Sequence, residues 1–372
     1  MIKVLTLFGT RPEAIKMAPL VKVLEQDPEI DSVVCVTAQH RQMLDQVLDV
    51  FKIVPDHDLN LMQHGQTLTE ITARVLESVQ TVLASEKPDI VLVHGDTTTT
   101  LAGALAAFYE QIPVGHVEAG LRTGNIYSPY PEEMNRMLAS RLATIHFAAT
   151  EGNVANLVRE GISEEKIVKT GNTVIDALIS VIKPDYKFKD AVLDGIDYTG
   201  KKVVLVTAHR RENIGEPMVQ IFSAIRAIVE LHDDVEVVFP VHLNPQVRSA
   251  AGEYLAGHSR IHLIEPLEYE PFANLMAKSY LIMTDSGGIQ EEAPALGKPV
   301  VVLRTETERP EAVEAGTVVV AGVEKDTIIE MTSRLISDVD YYKAMSEAVN
   351  PYGDGKACER IVRFIKMWKI KG

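Results

Sequence analysis

Residues 280–300 read YLIMTDSGGIQEEAPALGKPV, and their order is that of one strand–turn–helix–strand unit. Leu281–Thr284 is a short apolar run of the kind that forms a strand buried on both faces. Asp285-Ser286-Gly287-Gly288 breaks it, a helix is predicted from near Ile289, and Val300–Leu303 reads as the next strand. Two glycines let a ligand approach the backbone closely, and free N–H groups at a helix start suit phosphate. Glu291 and Glu292 follow in the first turn, where a carboxylate can accept hydrogen bonds from ribose hydroxyls or simply favour the helix end.

The same grammar runs outward in both directions. Val4–Phe8, Val33–Thr37, Ile90–His94, Val114–Val117 and Ile145–Ala148 read as buried parallel strands, separated by amphipathic stretches such as Glu13–Gln26, Leu68–Ser85 and Thr100–Tyr109. After Lys183 the polar segment PDYKFKDAVLDGIDYTGKK interrupts the alternation, which restarts with Val203–Thr207, Val235–Pro240 and Ile261–Ile264. Two such runs predict two doubly wound, Rossmann-like α/β domains, 1–184 and 185–372, with a ligand cleft between them. The last helix, about 357–370, could pack on either domain.

Composition narrows the function. The 372 residues are 46% hydrophobic and 24% charged, an ordinary globular balance. The net charge of −15 argues against nucleic acid as partner, while leaving room for an anionic small ligand held by a few local cations. Cys35 and Cys358 have no metal-ligand spacing and imply no disulfide framework. The opening MIKVLTLFGT reads as neither a signal peptide nor a membrane span, so a cytoplasmic protein is expected. Neither GxGxxG after a strand nor GxxxxGK[ST] occurs, which weakens dinucleotide chemistry and ATP hydrolysis.

The chemistry-bearing residues cluster just after predicted strands. In LFGTRPEAIKMAP, Arg11 and Lys16 sit near a helix N-terminus, where positive charge opposes the dipole. That hints at an anion between them, unless Glu13 satisfies both at the surface. In VHGDTTTT, Asp96 either caps a helix or is functional, and four threonines offer hydroxyls to a sugar or phosphate. In GHVEAG, Glu118 occupies a buried-type strand with no packing use for a carboxylate. In PEEMNR, Glu132 and Arg136 are i,i+4 neighbours, an unremarkable ion pair by itself. TAHRREN places His209, Arg210 and Arg211 at a strand end, and ERPEAV brings Arg309 to another turn.

Together FGTRPEAIKMAP, TAQHRQMLDQVL, VHGDTTTT, GHVEAGLRT, PEEMNR, TGNTVIDAL, TAHRREN, PVHLNP, TDSGGIQEEAP and ERPEAV resemble the bacterial, non-hydrolysing UDP-N-acetylglucosamine 2-epimerase family, in order from residue 8 to about 356. The resemblance implies a glycosyltransferase-B-like homodimer that interconverts UDP-GlcNAc and UDP-ManNAc without metal or nicotinamide cofactor. Asp96, Glu118 and Glu132 match the family's catalytic carboxylates, Arg136 an essential arginine that orients Glu132, and His209 a cleft histidine near the diphosphate. Arg11, Ser286, Gly287, Gly288, Glu292 and Arg309 match UDP contacts, Phe272 lies beside the uracil, and Lys16 matches a substrate-cleft residue. Gln39, Gln42, Arg211 and His242 resemble the site at which some members bind a second UDP-GlcNAc as activator, although an arginine of that site is Gly65 here. The rival readings are a glycosyltransferase of the same fold, an epimerase of a modified UDP-sugar, the hydrolysing branch, and a non-catalytic nucleotide-sugar sensor.

Overall fold

The computed structural model describes residues 1–38, 41–61, 63 and 65–371, without the side chains of 41, 42 and 369–371. The chain forms two compact units, Met1–Ser180 with Tyr352–Gly372, and Val181–Pro351. The first holds a seven-stranded sheet built from β1 (Ile2–Phe8), β2 (Ile30–Val36), β3 (His57–Asp58), β4 (Ile90–His94), β5 (Val114–Ala119), β6 (Ile145–Ala148) and β7 (Ile167–Lys169). Its order is β3-β2-β1-β4-β5-β6-β7, with every pairing parallel. The second holds β8 (Lys202–Thr207), β9 (Val235–Pro240), β10 (Ile261–Ile264), β11 (Leu281–Thr284), β12 (Val300–Val302) and β13 (Val318–Val320). Their order, β10-β9-β8-β11-β12-β13, is also wholly parallel.

Both sheets are doubly wound and reverse direction once, between β1 and β4 and between β8 and β11. Crevices at such reversals, beyond the strands' carboxyl ends, are where open α/β sheets bind ligands. The strands read from sequence recur within a few residues of their expected limits. β3, β7 and β13 were not expected: at two or three residues each, these edge strands are too short to show a period.

Each unit has its own core. In the first, Leu5, Leu7, Val91 and Val93 pack against Val75, Val79, Ala102 and Ala106. The helix Thr98–Tyr109 lies close to the sheet because Gly103 carries no side chain, and a Cβ there would meet Leu7 Cδ2 at 2.1 Å. In the second, Val204, Val206, Val237 and Phe239 pack against Phe222, Ile225 and Ile328. Among the described residues, no helix is long and apolar enough to cross a membrane.

The unit limits differ from the expected 1–184 and 185–372. The second unit begins at Val181 because Asn274, on the helix Tyr269–Lys278, takes the Lys183 N–H at 2.8 Å and donates to the Val181 carbonyl at 2.9 Å. At the other end the helix Ala357–Lys371 joins the first unit. It buries Cys358, Ile361, Val362 and Ile365 and sets Phe364 edge-on to Phe147. The Asp176 carboxylate accepts the Ala357 and Cys358 N–H groups at 3.1 and 2.9 Å, and Lys366 pairs with Asp27 and Glu29. Asp176→Ala removes this cap and is expected to lower stability by about 1–2 kcal/mol, read as an earlier urea or thermal midpoint.

Candidate functional site

The switch point of the first unit brings together the buried carboxylates Glu13 and Glu133. β1 ends at Phe8, and Gly9 and Thr10 turn into the helix Arg11–Gln26, with Thr10 as N-cap. Gly9 has no room for a side chain, since a Cβ would lie 2.0 Å from Thr37 Oγ1. Glu13 is not a surface partner of Arg11 and Lys16. It is 2% exposed, and its Oε2 accepts the Gly9 and Thr10 N–H groups at 3.1 and 2.8 Å. Its Oε1 accepts the hydroxyl of Thr97 at 2.7 Å. One buried carboxylate therefore ties the turn after β1 to the turn after β4.

That second turn carries Asp96. Thr97, not Asp96, caps the helix Thr98–Tyr109, accepting the Thr100 N–H at 3.1 Å. The threonine run is also not a ligand surface: Thr98, Thr99 and Thr100 are buried, Thr99 bonding Thr37 and Thr100 donating to the His94 carbonyl. With capping assigned to Thr97, the Asp96 side chain is free for Arg136, whose Nη2 stands 2.5 Å from Asp96 Oδ2. Its backbone is pinned on both sides. Asn135 Nδ2 donates to the Asp96 carbonyl at 2.9 Å, and His116 Nε2 donates to the Gly95 carbonyl at 2.7 Å. Burial pushes the His116 pKa down to about 3, so its ring is neutral and the bonded Nε2 carries the proton.

Glu118 stands at the end of β5 in a left-handed conformation, φ 62°, where the register with β6 slips. Such backbone costs a non-glycine residue on the order of 1–3 kcal/mol. Its carboxylate is 2.5 Å from Lys16 Nζ and 3.6 Å from His94 Nε2. Burial alone would raise its pKa, but the Lys16 ammonium and the His94 ring hold it well below the usual carboxylate range.

Glu132 and Glu133 open the helix Glu132–Leu142. Glu132 Oε2 is buried with no hydrogen-bond partner, and Arg136 is paired elsewhere. The expectation that Arg136 orients Glu132 is thus replaced: the guanidinium holds Asp96 and, at 3.2 Å, Glu133. The i,i+3 partner wins because Glu133 points inward, fully buried, while also accepting the Thr123 and Gly124 N–H groups at 3.0 Å each.

The switch point of the second unit is organised by Asp285, which is fully buried after β11. Its Oδ2 accepts the His209 and Arg210 N–H groups, both at 2.8 Å, and Asn213 Nδ2 at 3.1 Å. Its Oδ1 lies 3.3 Å from His209 Nδ1. Burial holds the His209 pKa below its usual value despite Asp285, and the ring stacks on His242 with centroids 5.3 Å apart. Ser286 precedes the short helix Gly287–Glu292. The place a Gly287 side chain would take lies 3.8 Å from the Arg309 guanidinium and 3.9 Å from that of Arg210, so two cations converge on bare backbone. Of the two acids that end this helix, Glu291 is engaged by Arg309, whereas Glu292 lies 3.7 Å from the equivalent position at Gly288. Phe272 is half-buried on the helix Tyr269–Lys278. Arg211 is exposed; Gln39 and the side chain of Gln42 lie outside the described residues.

Sequence reasoning passed over Glu13, His94, Glu133 and Asp285 as site residues. Only Asp285 had a readable signal, as an acid directly following a buried strand; the others needed side-chain directions.

Each unit thus has an open α/β switch point, one lined by carboxylates with paired cations, the other by two arginines over glycine backbone. That is the design of an enzyme doing acid–base chemistry on an anionic ligand. Comparison with known proteins gives the family. The UDP-N-acetylglucosamine 2-epimerase family model matches residues 22–366. The UDP-N-acetylglucosamine 2-epimerase of Bacillus subtilis is 59% identical over 97% of this chain and 94% of its own. The Neisseria meningitidis UDP-GlcNAc 2-epimerase, solved bound to UDP-GlcNAc, superposes with a TM-score of 0.87 at 52% identity, covering 98% of this chain and all of that one. S. aureus MnaA, solved with UDP, gives a TM-score of 0.85 at 55% identity over 99% of this chain and 97% of its own. The chain belongs to the UDP-N-acetylglucosamine 2-epimerase family, and it is an isomerase of the non-hydrolysing kind.

Two tests follow from the geometry. Lys16→Gln removes the cation that keeps Glu118 ionised, so Glu118 protonates at higher pH. Titration of the Glu118 carboxyl, followed by NMR, should move up in pH. The stability that the ionised Glu118 contributes, complete above about pH 4.3 and lost as pH falls through its depressed pKa, should likewise fade earlier on acidification. Asp285→Ala unties the His209–Asn213 turn, and thermal unfolding should show a lowered Tm.

Proposed function

We propose that this protein interconverts UDP-GlcNAc and UDP-ManNAc by elimination and re-addition of UDP. The C2–H of the sugar is not α to a carbonyl, so its removal alone would leave an unstabilised carbanion. If the C1–O bond breaks as the proton leaves, the C2–H electron pair becomes the C1=C2 bond of 2-acetamidoglucal. The C1–O pair then departs on UDP. UDP leaves anti and returns syn, and C2 is reprotonated from the opposite face. Two faces need two proton-transfer groups. Asp96, Glu118 and Glu132 form the acid–base set, and the departing diphosphate is held by Arg11, Arg309, Arg210 and the Ser286–Gly288 backbone, with His209 beside it. Phe272 takes the uracil and Glu292 the ribose.

The observation that carries this reading is the pairing of carboxylates with cations at adjacent strand ends: Asp96 with Arg136, Glu118 with Lys16. A sugar-nucleotide sensor or a simple glycosyltransferase needs the second unit's arginines but not this convergent set. The relatives solved with UDP and UDP-GlcNAc support the ligand.

Further parts of the reading rest on family likeness. A second UDP-GlcNAc acts as activator through Gln39, Gln42, Arg211 and His242, and the stacking of His242 on His209 gives it a direct line to the cleft histidine. The protein is a homodimer, consistent with the exposed Phe108, Tyr109 and Leu138. It works in the cytoplasm, where its two free cysteines stay reduced, and supplies ManNAc-type precursors for surface polysaccharide.

Proton NMR of the protein with UDP-GlcNAc, without added metal or nicotinamide, should show UDP-ManNAc appearing. Free ManNAc with UDP would place it in the hydrolysing branch, and an unchanged spectrum under UDP-binding conditions would refute the reading. Asp96→Asn should cut turnover about a hundredfold or more while UDP affinity stays within about threefold.

A further inference from the structure

Arg136 is 5% exposed and faces two carboxylates rather than one. A buried guanidinium needs a counter-charge at all times, because stranding it costs several kcal/mol. Asp96, however, cannot stay an anion if it exchanges protons with the sugar. Whenever it is protonated, its hold on Arg136 is lost. Glu133 is placed to take over: fully buried, 3.2 Å from Arg136 Nη1, and fixed by the backbone N–H groups of Thr123 and Gly124.

We infer that Glu133 is a positioning residue, the standing counter-ion of Arg136, which allows Asp96 to gain and lose a proton without stranding a buried cation. The inference rests on the reading of Asp96 as an acid–base group. It assigns no contact between Glu133 and substrate. The other titratable groups around this triad include Glu132 on the same helix, His94 at the end of β4, His116 and Glu118 on β5, Glu13 and Lys16 on the helix Arg11–Gln26, and Arg122, which donates to Ser140 on the triad's helix and pairs with Glu160. Of these, Glu118 already has Lys16, and Glu13 is spent on N–H and hydroxyl donors.

Glu133→Gln keeps a carbonyl oxygen for the Thr123 and Gly124 N–H groups but removes the charge. Arg136 then belongs to Asp96 alone, and protonating Asp96 becomes harder. For the full-length variant, kcat should fall on the order of tenfold or more with KM within about threefold, and the acid limb of the pH–rate profile should move to lower pH. If Glu133 only staples the 123–124 loop, kcat and the limb stay as in the wild type, and the inference fails.

A second arm needs no turnover. Urea midpoints are compared for Asp96→Asn, Glu133→Gln, the double variant, and the triple variant with Arg136→Gln added. Either anion alone should suffice for Arg136, so the double variant should lose far more than the two singles summed. Removing the cation as well should restore it. An additive double variant, or a triple variant that does not recover, overturns the inference. If Glu133→Gln alone fails to fold, recovery on adding Arg136→Gln supports the counter-ion role and continued failure rejects it. A wild type that does not convert UDP-GlcNAc would refute the functional reading, while the urea series would still decide Glu133.

Discussion

A carboxylate buried at the end of a strand is tolerated only when donors or cations meet it, and both switch points are assembled around that constraint. Glu13, Glu133 and Asp285 are all less than 3% exposed, and each accepts two backbone N–H groups through one oxygen. Because each reaches N–H groups away from its own backbone, each also fixes loop geometry. Glu13 joins the turns after β1 and β4, Glu133 joins the 123–124 loop to the helix Glu132–Leu142, and Asp285 shapes the His209–Asn213 turn. Asp96 and Glu118, which are more accessible, lean on Arg136 and Lys16 instead.

The same division explains how an acidic chain can bind an anion. The net charge of −15 is a property of the whole surface, screened over about 10 Å at ordinary ionic strength. Near Gly287 the field is set by Arg210 and Arg309, which converge on a backbone with no side chain of its own. Of the acids there, Glu291 is paired with Arg309 and Asp285 accepts N–H donors, while Glu292 lies beside Gly288.

Much of this was legible in the sequence because parallel strands announce themselves as β-branched runs and ligand residues follow them. Ile90–His94, Ile145–Ala148, Val235–Pro240 and Leu281–Thr284 were read to the residue. What sequence could not show was direction. VHGDTTTT allows either Asp96 or Thr97 to cap the helix, and only the structure gives the cap to Thr97. PEEMNR allows Arg136 to meet Glu132 at i,i+4 or Glu133 at i,i+3, and burial decides for Glu133. The terminal helix was equally ambiguous, since its buried face Cys358, Ile361, Val362 and Ile365 would suit any apolar partner. The long-range bonds from Asp176 select the first unit.

If the first unit's carboxylates exchange the C2 proton of a UDP-sugar, solvent hydrogen must enter at that carbon. The decisive measurement is deuterium content at C2 of UDP-GlcNAc and UDP-ManNAc recovered after incubation in D2O. The account predicts deuterium at C2 of both sugars, appearing with epimerisation and suppressed in step with it by Asp96→Asn. Epimerisation with protium retained at C2 would contradict it, because the hydrogen would then never have passed through an exchangeable carboxyl group.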